Sequence, residues 1–499
     1  MQSIATVPDI DGDGLPDVAF EGYGNGPSNV DHVFAIRGAS VGQGEVLWSS
    51  RPLGGASNGG GDGDDCLRLG PDLDGDGFPE LLLGTAWGGR TAYALHGNTG
   101  EVLWGFDTYA EYGDSYSGWI YSMDSLGQDL DEDGIPEIVF ASGSSNDRVH
   151  CVSGASGGLV WVYYGGDAFR DVHSCVDIDG DQVRDVIVSL GDQTPISPRV
   201  VALSGVDGHR IWETPVGGAI WNIVFLSDLT GDGIPEITLS QWSNSLVCLN
   251  GDTGAVVWSV PVPAQQRVAA LDDVDGDGKR DVAVGCNTTS ICQVRSGADG
   301  ELVWNVATSD WTWAIDRMPD VSGDGINDVV VGDFDGWVRL LDGASGAEIW
   351  SWLNPTGDKI KTIRGTADLN GNGAPDVVAG TQLLYGGSGG DVYALEGNPN
   401  AMGVAEGLPS TGARLGPGFP NPSFAGVRWS IAPGVAPGAE LSIFAVDGRR
   451  VRTLAARAGT IAWDGRDERG RDVPAGVYRA RLAGGEGAFE ESKPIVLIR

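Results

Sequence analysis

The apolar positions of the first 398 residues fall in short runs whose pattern predicts strands. Ser3 to Val7 enters an acidic turn, the β-branched run Val18 to Phe20 leaves it, and Val33-Phe34-Ala35-Ile36 follows. After a glycine turn, Glu45-Val46-Leu47-Trp48 closes the unit. The same unit returns with acidic turns beginning at Asp9, Asp72, Asp129, Asp177, Asp228, Asp273, Asp320 and Asp368, 45 to 63 residues apart. One four-stranded sheet cannot bury its faces until neighbours stack on both sides. The expected fold is therefore all-β, an eight-bladed β-propeller over residues 1–398.

The third and fourth strands share a signature, V-x-A-L-x-G-x-T-G-x-x-x-W, with tryptophans at Trp48, Trp104, Trp161, Trp212, Trp258, Trp304 and Trp350. A large ring at a fixed place in each unit fills the wedge between blades, so these are read as packing residues rather than ligand contacts. The eighth unit ends at Asn398-Pro399-Asn400 with no tryptophan strand. Either residues 400–407 or a segment upstream of Met1 is expected to supply it.

Antiparallel pairing puts the acidic and glycine turns on one face and the remaining connections on the other. Two of the latter are long, Arg51 to Asp65 and Asp107 to Tyr121. The second carries Tyr109, Tyr112, Tyr116, Trp119 and Tyr121, and Trp221, Trp311 and Trp313 lie near the starts of other inner strands. An aromatic and acidic rim suits recognition of a sugar or peptide; equally, these rings can pack the long loop onto the propeller. Beyond a linker at 399–414 the alternation changes. Val427 to Ile431, Leu441 to Phe444 and Val477 to Leu482 predict a small β-sandwich over 415–499.

The acidic turn, Asp-x-Asp-Gly-Asp-Gly-x-Pro-Asp in its fullest form, has the chemistry of a calcium site. Carboxylates at positions 1, 3, 5 and 9 can wrap hard oxygen ligands around one Ca²⁺, and glycines at 4 and 6 let the backbone turn tightly. The candidate ligands are Asp9, Asp11, Asp13 and Asp17; Asp72, Asp74, Asp76 and Glu80; Asp129, Asp131, Asp133 and Glu137; and Asp177, Asp179, Asp181 and Asp185. The later turns offer Asp228, Thr230, Asp232 and Glu236; Asp273, Asp275, Asp277 and Asp281; Asp320, Ser322, Asp324 and Asp328; and Asp368, Asn370, Asn372 and Asp376. Thr230 and Ser322 each replace a carboxylate, and Asn370 with Asn372 leaves the last turn two charges. A graded affinity follows. The acidic residue at 9 and the strand after it distinguish the turn from an EF-hand.

Charge narrows the function. The net charge of −38 argues against nucleic acid. Residues 413–499 hold 13 Lys/Arg against 9 Asp/Glu, so the acidity belongs to the propeller. Its turns alone contribute 28 carboxylates, which repel one another without metal. Six cysteines form no metal or haem motif; Cys286 with Cys292, and Cys151 with Cys175, are either bridges or buried thiols. No apolar run reaches transmembrane length and no signal peptide is present. Because weak calcium loops suit extracellular calcium, the natural start is expected upstream.

Catalysis finds no constellation. The G-x-S-x-G matches at Gly55, Gly154 and Gly386 are expected by chance among 80 glycines, and the nucleophile elbow needs a strand-to-helix turn. His32, His96, His150, His173 and His209 are scattered. Arg170, Lys359, Lys361 and Arg364, near inner-strand starts, keep chemistry on uronates open.

The acidic turns resemble the FG-GAP or VCBS repeats of integrin α-type calcium propellers, which implies calcium at positions 1, 3, 5 and 9. The tryptophan signature resembles the repeats of quinoprotein (PQQ-dependent) dehydrogenases and related propellers. The adjacent cysteine pair typical of many such enzymes is absent. Pro420-Asn421-Pro422, Val446-Asp447-Gly448-Arg449, Trp463-Asp464-Gly465-Arg466-Asp467, Gly470 and Ala475-Gly476-Val477-Tyr478 resemble the Ig-like C-terminal domain related to flagellar hook-cap proteins and type IX secretion sorting tails. Together these imply a bacterial, secreted or cell-surface, calcium-binding module for a carbohydrate or protein ligand, with export machinery as a partner of the C-terminal domain. The alternative is a secreted polysaccharide-degrading enzyme of lyase type, or a PQQ-dependent dehydrogenase-like protein.

Overall fold

The computed structural model describes residues 3–22, 33–39, 44–50, 66–86, 89–113, 118–191, 197–382, 391–397, 427–431, 440–445, 449–456, 459–483 and 490–497. The chain divides into two compact units, Met1–Met402 and Gly403–Arg499.

In the first unit the short apolar runs become antiparallel sheets. Ser3–Val7, Asp17–Glu21, Val33–Ile36 and Val46–Ser50 pair in chain order, with Ser3 opposite Glu21 and Val7 opposite Asp17. Six further four-stranded sheets repeat this order, and a three-stranded sheet, Lys359–Gly365, Asp376–Gln382 and Val392–Glu396, follows them. The innermost strands touch in succession: Ser3–Val7, Leu67–Leu69, Ile120–Ser125, Phe169–Ser174, Ile220–Phe225, Gln265–Ala270, Thr312–Met318 and Lys359–Gly365, the last returning to the first. The unit is a closed β-propeller.

Burial follows position within each sheet. Second strands such as Val186–Leu190 are covered on both faces, which is why they read as unbroken apolar runs. Fourth strands alternate, burying the tryptophan. All seven tryptophans are at most 9% exposed, and each donates its indole N–H to a turn carbonyl of the next sheet: Trp48 to Gly97 at 3.0 Å, Trp161 to Gly205 at 2.7 Å, Trp350 to Gly397 at 3.0 Å. The ring face lies on a second glycine of the same turn. A Cβ on Gly254, at φ +70°, would stand 2.5 Å from Trp212. That position needs glycine both for its backbone and for the ring.

The seam between the last and first sheets differs. Its buried cluster is Ile4, Val18, Phe20, Leu369 and Val378, without a tryptophan. A cavity of about 200 Å³ opens there beside Ile36, Gly38, Gly44 and Tyr393.

The long connection after Val102–Asp107 holds one helical turn, Thr108–Tyr112, where a loop is expected from the sequence. Asp107 caps it, accepting the Tyr109 N–H at 2.8 Å. The connection over 51–65 and Tyr116 lie outside the described residues. Among the described residues no helix is long and apolar enough to cross a membrane. All six cysteines are buried thiols, and burial pushes that of Cys286 up to about 12. Neither sequence-proposed pair is a disulfide.

The second unit packs Val427–Ile431 paired with Gly459–Trp463 and a sheet ordered Arg450–Ala455, Glu440–Ala445, Gly476–Ala483, Glu490–Leu497 around one core. Trp429, Trp463, Ile443 and Leu482 form its centre. Three strands are visible in the sequence pattern; Arg450–Ala455, Gly459–Trp463 and Glu490–Leu497 are added by pairing.

Candidate functional site

Each acidic turn is built by its own carboxylates. In the first, Asp9 accepts N–H bonds from Gly12 at 2.6 Å, Asp13 at 3.1 Å and Gly14 at 2.7 Å, which wraps the backbone around one carboxylate. Gly12 and Gly14 sit at φ +82° and +88°. In the fourth turn Gln182 takes the second glycine's place at φ +75°, a strained conformation for a residue with a side chain. One carboxylate oxygen from each of Asp72, Asp74, Asp76 and Glu80 lies within 4.8 Å of the others, as do those of Asp9, Asp11 and Asp13, of Asp129, Asp131 and Glu137, and of Asp177, Asp179 and Asp185.

The ninth position has a structural duty as well. Asp17 is buried and receives the Ile10 N–H at 2.8 Å and the Gly38 N–H at 2.9 Å, tying the acidic turn to the glycine turn. Asp281 repeats this with Val274 and Gly297, and Asp328 with Val321 and Gly343. Burial, aided by the neighbouring acids, pushes Glu80 up to about 7 and Asp281 and Asp376 up to about 6, against the backbone N–H bonds that favour the charged form.

In several repeats the residue before the corresponding glycine reaches the acidic turn too, a contact that sequence reasoning missed because the two lie about 20 residues apart. Arg37 pairs with Asp11, His96 Nδ1 lies 3.0 Å from Asp74, and Asn250 donates to Asp232 at 2.6 Å. In the depleted last turn Glu396 accepts from Asn370 at 3.0 Å and from Asn372. Thr230 turns its hydroxyl to Asp232 at 2.8 Å, and Ser322 to Asp320 at 3.1 Å.

Two further clusters line the inner strands. Near their C-terminal ends, a cavity of about 280 Å³ is bordered by Arg68, His173, Arg267, Arg317 and Arg364. Acids lie among them: Arg68 is 3.5 Å from Asp124 and Arg317 3.4 Å from Asp272. Burial raises the Asp316 carboxyl against the pull of Arg364 and Arg267. Asp171 is buried and accepts from Ser122 at 2.9 Å and from the Ile223 N–H at 2.9 Å, joining three sheets.

Near the opposite ends the register of six successive inner strands shifts by one residue. The residues left over are Tyr121, Arg170, Trp221, Gln266, Trp313 and Lys361. They meet between sheets. The Arg170 guanidinium lies 4.2 Å from the Tyr121 ring centre and 4.5 Å from that of Trp221, and Lys361 lies 4.2 Å from Trp313. Trp242 packs on Trp221 at 4.9 Å and donates to Gln266 at 3.2 Å.

The sequence-proposed aromatic set is thus divided. Tyr121, Trp221 and Trp313 belong to this rim; Trp311 packs on Phe334 beside it, and Trp119 lies edge-on to Tyr121. Tyr112 instead bonds buried His150 at 3.1 Å under Arg148, packing its loop down, and Tyr109 points outward at 53% exposed. His150 stacks on Phe140 at 4.4 Å, and burial holds its imidazole down to about 3, a neutral core histidine.

The fold and its tryptophan-pinned repeats define a β-propeller of PQQ-like repeats. Residues 88–297 match the family described as outer membrane protein assembly factor BamB. The chain is 28% identical over 228 residues to Protein FAM234B of Mus musculus, covering 40% of this chain and 34% of that one. The match thus spans about a third of that relative's length. Sqt1 of Saccharomyces cerevisiae superposes with a TM-score of 0.57 at 11% identity, over 79% of this chain and 95% of Sqt1. Quinohemoprotein alcohol dehydrogenase from Comamonas testosteroni gives 0.51 at 12%, over 83% and 78%. At these identities the structures share the fold alone.

Proposed function

We propose that the chain is an exported, eight-bladed calcium propeller that works as a binding module for a carbohydrate or protein ligand. Its calcium loops, of FG-GAP or VCBS kind, staple one face and leave the opposite rim for the ligand. The observation that supports this reading is the convergence of Asp72, Asp74, Asp76 and Glu80 within 4.8 Å on a turn whose backbone those same acids organise. Such a set, all oxygen and nearly all charged, suits a hard divalent cation. On this reading residues 1–398 are the propeller, 399–414 a linker, and 415–499 an Ig-like domain that attaches the protein at the cell surface or addresses it for export. The match to a family described as an outer membrane assembly factor supports a place in the envelope and leaves a protein ligand open.

The test is calcium content by elemental analysis together with thermal unfolding in calcium and in chelator. Several bound ions and a melting temperature that falls in chelator are expected, because a ligand of the native state raises stability by linkage. A calcium-free protein with the same melting temperature in both would overturn the reading.

A further inference from the structure

We infer that the second acidic turn is a mixed site for a borderline divalent transition ion of the zinc class, with a nitrogen of His96 joining the carboxylates of Asp72, Asp74, Asp76 and Glu80. This deepens the proposed cation role of the acidic turns and rests on it. The four acids by themselves suit calcium; His96 changes which cation the turn prefers.

The backbone fixes where His96 stands. Its N–H is donated to the Glu101 carbonyl at 2.8 Å, and its own carbonyl accepts the Gly100 N–H at 2.7 Å, so the glycine turn holds the residue from both sides. The imidazole reaches across to the acidic turn, with Nδ1 3.0 Å from Asp74 Oδ2. A nitrogen of His96 and one oxygen each from Asp74 and Asp76 lie within 4.8 Å of one another, and the same two acids belong to the four-carboxylate group. The 3.0 Å separation is what two neighbouring ligands keep at right angles around an ion with bonds of about 2.1 Å. Trp48 of the first sheet donates to the Gly97 carbonyl at 3.0 Å, so an ion joining His96 to the acidic turn would also firm the seat of that tryptophan.

Glu80 points to a cation independently of the acids around it. The residue is fully buried; its Oε2 accepts the Leu73 N–H, while Oε1 is buried with no hydrogen-bond partner among the described residues. The same position in other turns uses both oxygens: Asp17, Asp281 and Asp328 each take one backbone N–H on either oxygen. A buried carboxylate oxygen without a donor is costly unless a cation satisfies it. The imidazole then sets the preference, because calcium takes oxygen ligands whereas imidazole nitrogen suits zinc and its neighbours. Other repeats place Arg37, Ser153, Asn250 or Glu396 where His96 stands, and none of these offers a nitrogen lone pair. His209, beside the fourth turn, lies 3.9 Å from Asp179 and is held instead by exposed Asp207 at 2.7 Å, so it makes no such set.

The test is equilibrium dialysis of the full chain against Zn²⁺ in a large excess of Ca²⁺, read by elemental analysis, with Co²⁺ absorption as a second report of nitrogen ligation. The chain is expected to keep a single zinc against the calcium. His96→Asn should weaken zinc at least about tenfold, since even residues that only orient a metal ligand contribute that much. Its calcium content and metal-free melting temperature should stay unchanged. His96→Asp makes the turn all-oxygen and should exchange the zinc for calcium, whereas His209→Asn should alter neither ion. No zinc kept against calcium, or equal zinc in wild type and His96→Asn, would overturn the inference. A chain that binds calcium but keeps no zinc loses only this inference; one that holds neither ion loses the calcium reading beneath it as well.

Discussion

At the ninth position of the acidic turn Asp17, Asp185, Asp281 and Asp328 each pin the turn to the glycine turn beside it, and on the proposed calcium reading the same carboxylate would close the cation site. Burial raises the carboxyl at this position, Glu80 to about 7 and Asp281 and Asp376 to about 6. A carboxylate whose folded pKa is raised above its unfolded value stabilises the fold at low pH and loses that contribution as pH rises through the folded value. In chelator the melting temperature should therefore fall as pH rises from about 4 to about 7, Glu80→Gln should flatten part of the fall, and calcium should suppress it. A flat metal-free profile would contradict the assignment. The inter-sheet tryptophans are a second residue-scale test. Trp258→Phe loses the 2.9 Å bond to the Gly297 carbonyl and should cost about 1 kcal/mol, whereas Trp258→Ala also empties the wedge and should cost about 3–5 kcal/mol in denaturant unfolding.

Sheets in this propeller are alike, but the seams between them are not. Seven seams hold a tryptophan bonded across to the next sheet; the seam joining 366–396 to 3–21 has a small cluster around Phe20 and a cavity instead. Fewer buried contacts mean a lower free energy of local opening. Amide exchange should therefore be fastest at this seam, faster in Asp376–Gln382 than in Val186–Leu190, although both strands sit second in their sheets. Similar protection in both would show that the closure is as strong as the rest. The acidic turns differ among themselves as well. Arg37 occupies Asp11 in the first turn, so Arg37→Gln should tighten calcium there, and Glu396→Gln should weaken the last turn further. Site-resolved calcium titration separates these two outcomes.

For the whole molecule, charge and closure act against each other. Residues 1–412 carry nearly all the acidity, and much of it is gathered in turns. Metal-free protein should consequently gain melting temperature as salt rises from low to moderate ionic strength, because screening reduces self-repulsion. Calcium-loaded protein should gain less. An equal gain in both would mean that the turns are not the source of the repulsion.

Much of this architecture is legible in the order of the residues. The repeat of the acidic turn, the alternation around it and the tryptophan signature each recur at a fixed place, so periodicity alone specified strands, sheets and the propeller, and the ligand types at each turn pointed to a hard cation. Those signals are local: residues within one turn or one hairpin. Contacts between repeats are settled by packing instead. Arg37 meeting Asp11, Trp161 reaching Gly205 and Arg170 seated between Tyr121 and Trp221 join residues about 20 to 50 positions apart, and nothing in the intervening sequence encodes the contact. The register shifts that set Gln266 and Lys361 on the rim depend on where the ladder of each inner strand slips by one residue. That slip is fixed by pairing partners and by the neighbouring sheet, so it leaves no mark in a pattern of polar and apolar positions.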